Sequence, residues 1–257
     1  MNRFVSVLVV SVFFGANLPA QNTPATHAPD YRAPFFIAPL YFSSKAEAPF
    51  MAIAKTHVVR IMPDGSTVTS ENQRVVARDT EGRIFQERRT FVPVPNPDNR
   101  QSMVRSQEYI DPLAHTLYLC NPYAKVCNLF PYVTRPEAAD RPVGVQPGGK
   151  TYLTRENLGS DLIGGQVVLH TRETLTVYAE TIGNTKNIIR TEDYWYSPQL
   201  GINVRVQRQD PRDGEQTLWL TGLTLSAPDP AVFRVPQGYR IVDHRNPQRP
   251  APANGAQ

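Results

Sequence analysis

The chain has 257 residues with a formal net charge of +4; 40% are hydrophobic and 19% charged, which excludes both a disordered polyelectrolyte and a bundle of membrane-spanning helices. Its basic residues are interleaved with acidic ones: Arg78, Arg83, Arg88 and Arg89 enclose Asp79, Glu81 and Glu87, so there is no unopposed basic stripe of the kind a nucleic-acid face needs. Proline, at 24 residues, exceeds the usual share of about 5% and gathers toward the two ends, leaving a middle of roughly 180 residues, enough for one stable core.

In chain order, Arg3 precedes an apolar run from Phe4 to Phe14. The run is too short to cross a bilayer, which takes about 20 residues, and it fits the charged and apolar regions of a secretory signal peptide. Gly15, Asn17 and Pro19 end it, and Ala20–Gln21 is the expected cut. Residues 1–20 are therefore read as a leader that exports the protein to the periplasm or beyond, with no stable transmembrane segment. Residues 21–48 form a Pro- and Ala-rich lead-in, residues 49–245 one antiparallel β domain, and residues 246–257 a disordered tail.

The body reads as strands divided by turn chemistry. Phe50–Ile61 runs to Pro63-Asp64-Gly65; Gln73–Arg78 and Arg83–Val94 flank Asp79-Thr80-Glu81-Gly82; Met103–Ile110 ends at Asp111-Pro112. After His115–Cys120 come a loop with Pro136, Pro142 and Pro147, the long strand Gln166–Tyr178, then Asn187–Tyr196, Gly201–Arg208 and Gln216–Leu225. Ile202, Val204 and Val206 alternate with Asn203, Arg205 and Gln207, the period of a strand with one buried face. Short helical turns are expected only at Pro228–Phe233, opened by Asp229 or Pro228, and at Arg155–Leu158. The fold class is all-β with little helix, an antiparallel sheet curled into an unclosed barrel or, alternatively, a β-sandwich.

Cys120 and Cys127 lie in two apolar segments joined by six residues that include Asn121-Pro122. Opposed positions of such a hairpin lie within disulfide reach, and an oxidising compartment favours a Cys120–Cys127 bridge over two buried thiols. The spacing is neither the redox C-x-x-C nor half of a zinc site.

The usual catalytic and cofactor patterns are missing. No G-x-S-x-G surrounds a serine; Ser160 in LGSD is the nearest. Gly144–Thr151 matches the phosphate-loop pattern letter for letter, but Pro147 lies inside it and no strand–loop–helix context surrounds it. His27, His57, His115, His170 and His244 form no paired spacing for a metal. Glu192 and Asp193 point to opposite faces of a strand and cannot act as a pair, and Asp210 and Asp213 read as turn formers. No cofactor, no metal and no enzymatic activity are expected. Trp195, beside Tyr194 and Tyr196, and Trp219, between Leu218 and Leu220, are either core packing or the lining of an apolar ligand site.

Leu158–Gly165 (LGSDLIGG), Glu192–Leu200 (EDYWYSPQL), Asp210–Glu215 (DPRDGE), Pro228–Tyr239 (PDPAVFRVPQGY) and the RDTEGR segment Arg78–Arg83 resemble a family of uncharacterised exported β-rich bacterial proteins over roughly residues 50–242. Where that family carries glycine before the arginine matching Arg172, this chain has His170-Thr171. More remotely, the strand order resembles the periplasmic lipoprotein-carrier (LolA-like) fold. That resemblance implies an unclosed barrel and, among its members, carriers of acyl chains. Two functions follow as expectations: a non-enzymatic envelope protein holding a lipid or other apolar ligand, or an interaction module that pairs with another envelope protein.

Overall fold

The computed structural model describes residues 42–133 and 140–245. The leader, most of the lead-in and the tail lie outside these residues. Among the described residues fourteen strands follow in order: β1 (Phe50–Ile61), β2 (Thr67–Arg78), β3 (Ile84–Arg89), β4 (Val92–Pro93), β5 (Val104–Asp111), β6 (Thr116–Asn121), β7 (Val126–Pro131), β8 (Gly144–Val145), β9 (Thr151–Ile163), β10 (Gln166–Val177), β11 (Ile188–Ser197), β12 (Ile202–Asp210), β13 (Gly214–Thr224) and β14 (Arg240–Asp243). No α-helix occurs among the described residues. One 3-10 turn, Pro230–Phe233, is capped by the Asp229 carboxylate accepting from the Ala231 N–H, at the place expected.

All the strands belong to one sheet, ordered β14-β7-β6-β5-β3-β2-β1-β13-β12-β11-β10-β9-β8, with β4 pairing beside β3 on β2. Every pairing is antiparallel except β14 on β7. The edge strands β14 and β8 do not pair with each other, so the sheet is unclosed. It nevertheless curls. Ile163 of β9 and Trp219 of β13 line one concavity although β10, β11 and β12 stand between their strands.

The helical turn expected over Arg155–Leu158 is not formed. These residues lie in β9, paired with β10 at Arg155↔Glu173 and Asn157↔Thr171, and the Arg155 guanidinium binds the Glu173 carboxylate across the ladder. A four-residue helix has no stability of its own, whereas the ladder offers partners to the backbone along its whole length. Leu158 is the extra residue of a bulge there. The single strand expected over Arg83–Val94 is broken after Arg89, with the Thr90 N–H turned to the Met103 carbonyl.

Period-two alternation gives the sheet two faces. On the first, Phe50, Ala52, Ala54, Val76, Ile84, Tyr194, Ile202, Val204, Val206, Leu218 and Leu220 form the main core, joined by Phe42 and Leu200. Arg78 is fully buried beside it. Its guanidinium donates to the carbonyls of Ala48, Ser43 and Leu200 at 2.9, 2.8 and 2.6 Å and lies over the Phe50 ring. One cation thus fastens the lead-in and the β11–β12 turn to β2.

On the second face, β2, β3 and β5–β7 are covered by the segment after β13. There Val75, Ala77, Phe85, Tyr109, Tyr118 and the Cys120–Cys127 disulfide pack against Val232, Phe233, Val235 and Tyr239 from the segment after β13. The cysteines sit directly opposite each other on the β6–β7 hairpin.

The two halves of the sheet meet at the β1–β13 ladder, which needs a glycine at its end. Gly214 has φ +91°, and a side chain there would run into the Val59 carbonyl oxygen. Gly214→Ala is expected to cost about 3 kcal/mol in urea unfolding; a loss within experimental error would show that the ladder tolerates a Cβ at this point.

Burial first, then the proximity of Tyr239 and Glu87, pushes the Tyr109 phenol up to about 12. Above the ordinary tyrosine value near 10 the unfolded chain releases this proton while the folded chain keeps it, so stability falls between about pH 10 and pH 12. Tyr109→Phe should show a smaller stability loss between about pH 10 and pH 12 than the parent, measured by urea unfolding.

Candidate functional site

Beyond the covered half, the second face continues across β1, β13, β12, β11 and β10, and its side chains stand in cross-strand rows. One row reads Lys55↔Trp219, Trp219↔Arg205, Arg205↔Trp195 and Trp195↔His170. The next reads His57↔Thr217, Thr217↔Gln207, Gln207↔Asp193 and Asp193↔Arg172. Directly opposed side chains on one face touch, so the register assembles cations, indoles and amides from five strands into one surface.

Two concavities open on this surface. The larger, about 470 Å³, is lined by His57, Ile163, Arg205, Thr217, Trp219 and Leu220. Its apolar walls come from Trp219 and Ile163 at the end of β9, and its polar groups from β1, β12 and β13. The smaller, about 310 Å³, is polar and lined by His170, Arg172, Thr191, Asp193, Trp195, Arg205, Gln207 and Gln209. Arg205 belongs to both.

The two tryptophans have different roles. Trp195 is 8% exposed, with His170 stacked on its ring at 4.2 Å and the Arg205 guanidinium carbon 4.5 Å from its centroid. Its indole N–H donates to the Asp161 carboxylate at 2.8 Å. It is a packed, fully engaged side chain. Trp219 is half-buried and lines the larger concavity.

His170 Nε2 lies 2.9 Å from Asp193 Oδ1, and Asp193 also accepts from Arg172 Nε at 3.0 Å. A His–Asp pair orients an imidazole for general-base work only where a nucleophile stands within hydrogen-bond reach. Among the described residues no serine or threonine hydroxyl donates to His170, and no group of three His, Cys, Asp or Glu side chains could hold a metal.

The cations of the sheet are unequally matched. On the first face Glu173 and Glu192, direct cross-strand partners, are both buried; Arg141 and Arg155 bind the first, Arg190 and Arg208 the second. Asp193 holds Arg172 on the second face. Arg205 differs. Among the described residues its one side-chain hydrogen bond is a long one to Gln207 Oε1, 3.4 Å, and its buried Nε has no acceptor. A buried, unsatisfied polar group costs about 1–3 kcal/mol, which a cation–π contact of about 0.5–2 kcal/mol offsets only in part.

No protein-family model matches the chain, and no curated protein matches it. Solved structures do. An uncharacterized conserved protein from Thermus thermophilus is similar at 10% identity and a TM-score of 0.39, over 76% of this chain and 90% of that one. The lipoprotein LppX of Mycobacterium tuberculosis is similar at 11% identity and a TM-score of 0.28, over 71% and 90%. A LolA superfamily protein from Nitrosomonas europaea is similar at 11% identity and a TM-score of 0.26, over 73% and 90%. At such identities and scores, the chemistry of this chain has to be read from its own residues.

Sequence patterning singled out Trp195 and Trp219 but not Arg205, His57 or Ile163, which meet Trp219 only through register and curl. The strand alternation does place Arg205 on the face opposite Val204 and Val206, which was the available signal. With two tryptophans in the chain, Trp195→Phe and Trp219→Phe each leave a single reporter. Acrylamide should quench the fluorescence of Trp219 more strongly than that of Trp195; equal quenching would contradict the difference in packing.

Proposed function

We propose that the protein is an exported, non-enzymatic binding protein of the cell envelope that holds a lipid or other largely apolar ligand in the larger concavity. The observation that carries this reading is the concavity itself. Its volume of about 470 Å³ lies within the roughly 300–1,000 Å³ of small-molecule sites, and it combines apolar walls with a few polar groups. Trp219 supplies the largest apolar surface, with Ile163 beside it, while Arg205, His57 and Thr217 give polar anchoring. The apolar run Phe4–Phe14 after Arg3 and the Cys120–Cys127 disulfide support export to an oxidising compartment.

A second reading, an interaction module, draws on the β9–β10 hairpin. Leu162 and Val167 are cross-strand partners and are 72% and 63% exposed. Paired apolar side chains left in water favour association.

Native mass spectrometry of the protein exported to a periplasm and purified without detergent distinguishes the two. Ligand binding predicts a small mass excess, removed by organic extraction and absent from Trp219→Ala. A bare monomer mass for the parent would overturn the carrier reading, and an excess the size of a whole protein would favour the module.

A further inference from the structure

We infer that the site selects an amphiphile with a singly negative head, gripped by Arg205 and Lys55 on either side of Trp219. The inference rests on the binding reading above and names its ligand class.

The first support is charge matching. The arginines on the neighbouring strands have carboxylate partners: Arg172 has Asp193, Arg190 and Arg208 have Glu192, and Arg155 has Glu173. No described carboxylate forms an ion pair with Arg205 or Lys55, and both are half-buried. They stand in one row with Trp219 between them, Lys55 opposite it on β1 and Arg205 opposite it on β12. The attraction of a half-buried cation for an anion grows as water is excluded.

The second support is position. Arg205 lines both concavities. An apolar chain lying on Trp219 and Ile163 would therefore end at a guanidinium whose buried Nε has no acceptor among the described residues. Beyond it the polar groove offers Gln207, Gln209 and Thr191 to the uncharged atoms of a head group.

The third support sets the number of charges. Glu215 faces the same surface, accepting from Gln207 Nε2 at 3.2 Å and from Thr217 Oγ1 at 3.3 Å, and Asp193 borders the groove. These carboxylates repel a multiply charged head such as a diphosphate and tolerate a single negative charge. A carboxylate and a phosphodiester both meet that condition, as in a fatty acid and a lysophospholipid.

The test is calorimetric titration of the delipidated, disulfide-bonded protein with three lauroyl compounds below their micelle concentrations: laurate, lysophosphatidylglycerol and neutral monolaurin. At least one acidic compound should bind about tenfold or more tighter than monolaurin, the scale of one charge-assisted hydrogen bond. Tighter binding of laurate assigns a fatty acid, and of the lysophospholipid a phosphodiester. Arg205→Gln should bring acidic and neutral compounds to near parity by weakening the acidic ones most; Lys55→Gln should reduce the preference in part and provides the check should Arg205→Gln fail to fold.

Equal affinity of the parent for all three compounds would overturn the inference and leave the binding reading standing. So would a preference that survives both substitutions. Acetate competing as well as laurate would show an anion site without a chain. Binding of none of the three would sink the carrier reading together with the inference.

Discussion

The ladder between β1 and β13 is the constraint on which the rest of the structure depends. Strands β2–β7 with β14 hang from one side of it and β8–β12 from the other, so without it the chain would form two smaller sheets. The strands concerned are far apart in sequence, and bringing them together has a closure entropy that only the completed ladder offsets. The fit is close enough that a glycine is needed where β13 begins beside Val59. The same ladder places Lys55 opposite Trp219 and His57 opposite Thr217, so the element that unifies the sheet also builds one wall of the candidate site.

A single sheet, with no α-helix among the described residues, must cover two faces with little besides itself, and this protein does so in three ways. The first face is buried in one core shared by residues of β1, β2, β3 and β11–β13, closed by Phe42 and Leu200. The segment after β13 folds back over half of the second face and ends as β14, protecting the edge of β7. Arg78 ties the stretch before β1 to the turn after β11 by three carbonyls. A guanidinium suits this task because its donors form a rigid fork that reaches several acceptors at once. What remains uncovered is the second face over β1, β13 and β12, and the concavity lies there.

Electrostatics divides the surfaces by role. Glu173 and Glu192 face each other across β10 and β11, an arrangement that would be repulsive by itself, and two arginines apiece neutralise them. Such matching is what burial of charge requires. Arg205, like the buried Arg74 of β2, lacks a comparable partner among the described residues, and Arg205 is the one of the two that lines the concavities. Its guanidinium rests on Trp195, which His170 backs from stacking distance and Asp161 holds by its N–H. Trp195 thus acts as support for the site, and Trp219 as its apolar surface.

Much of the local structure was legible in the sequence by itself. Phe50–Ile61 is β1 to the residue; the alternation of Ile202, Val204 and Val206 identifies the core side of β12; and Asp229 caps the turn where expected. The two cysteines become opposed on one hairpin, as their spacing implies. These features depend on residues near one another in the chain, where turn chemistry and the two-residue period act directly. The tertiary structure decided the rest. Arg155–Leu158 became strand because β10 offered a ladder and Glu173 an ion pair. The row of Lys55, Trp219, Arg205 and Trp195 exists only because four strands pair in one register, and a one-residue slip in any of them would turn its member to the other face. Sequence determines which residues share a side of a strand; register and curl, set by the packing of the whole sheet, determine which strands' residues meet.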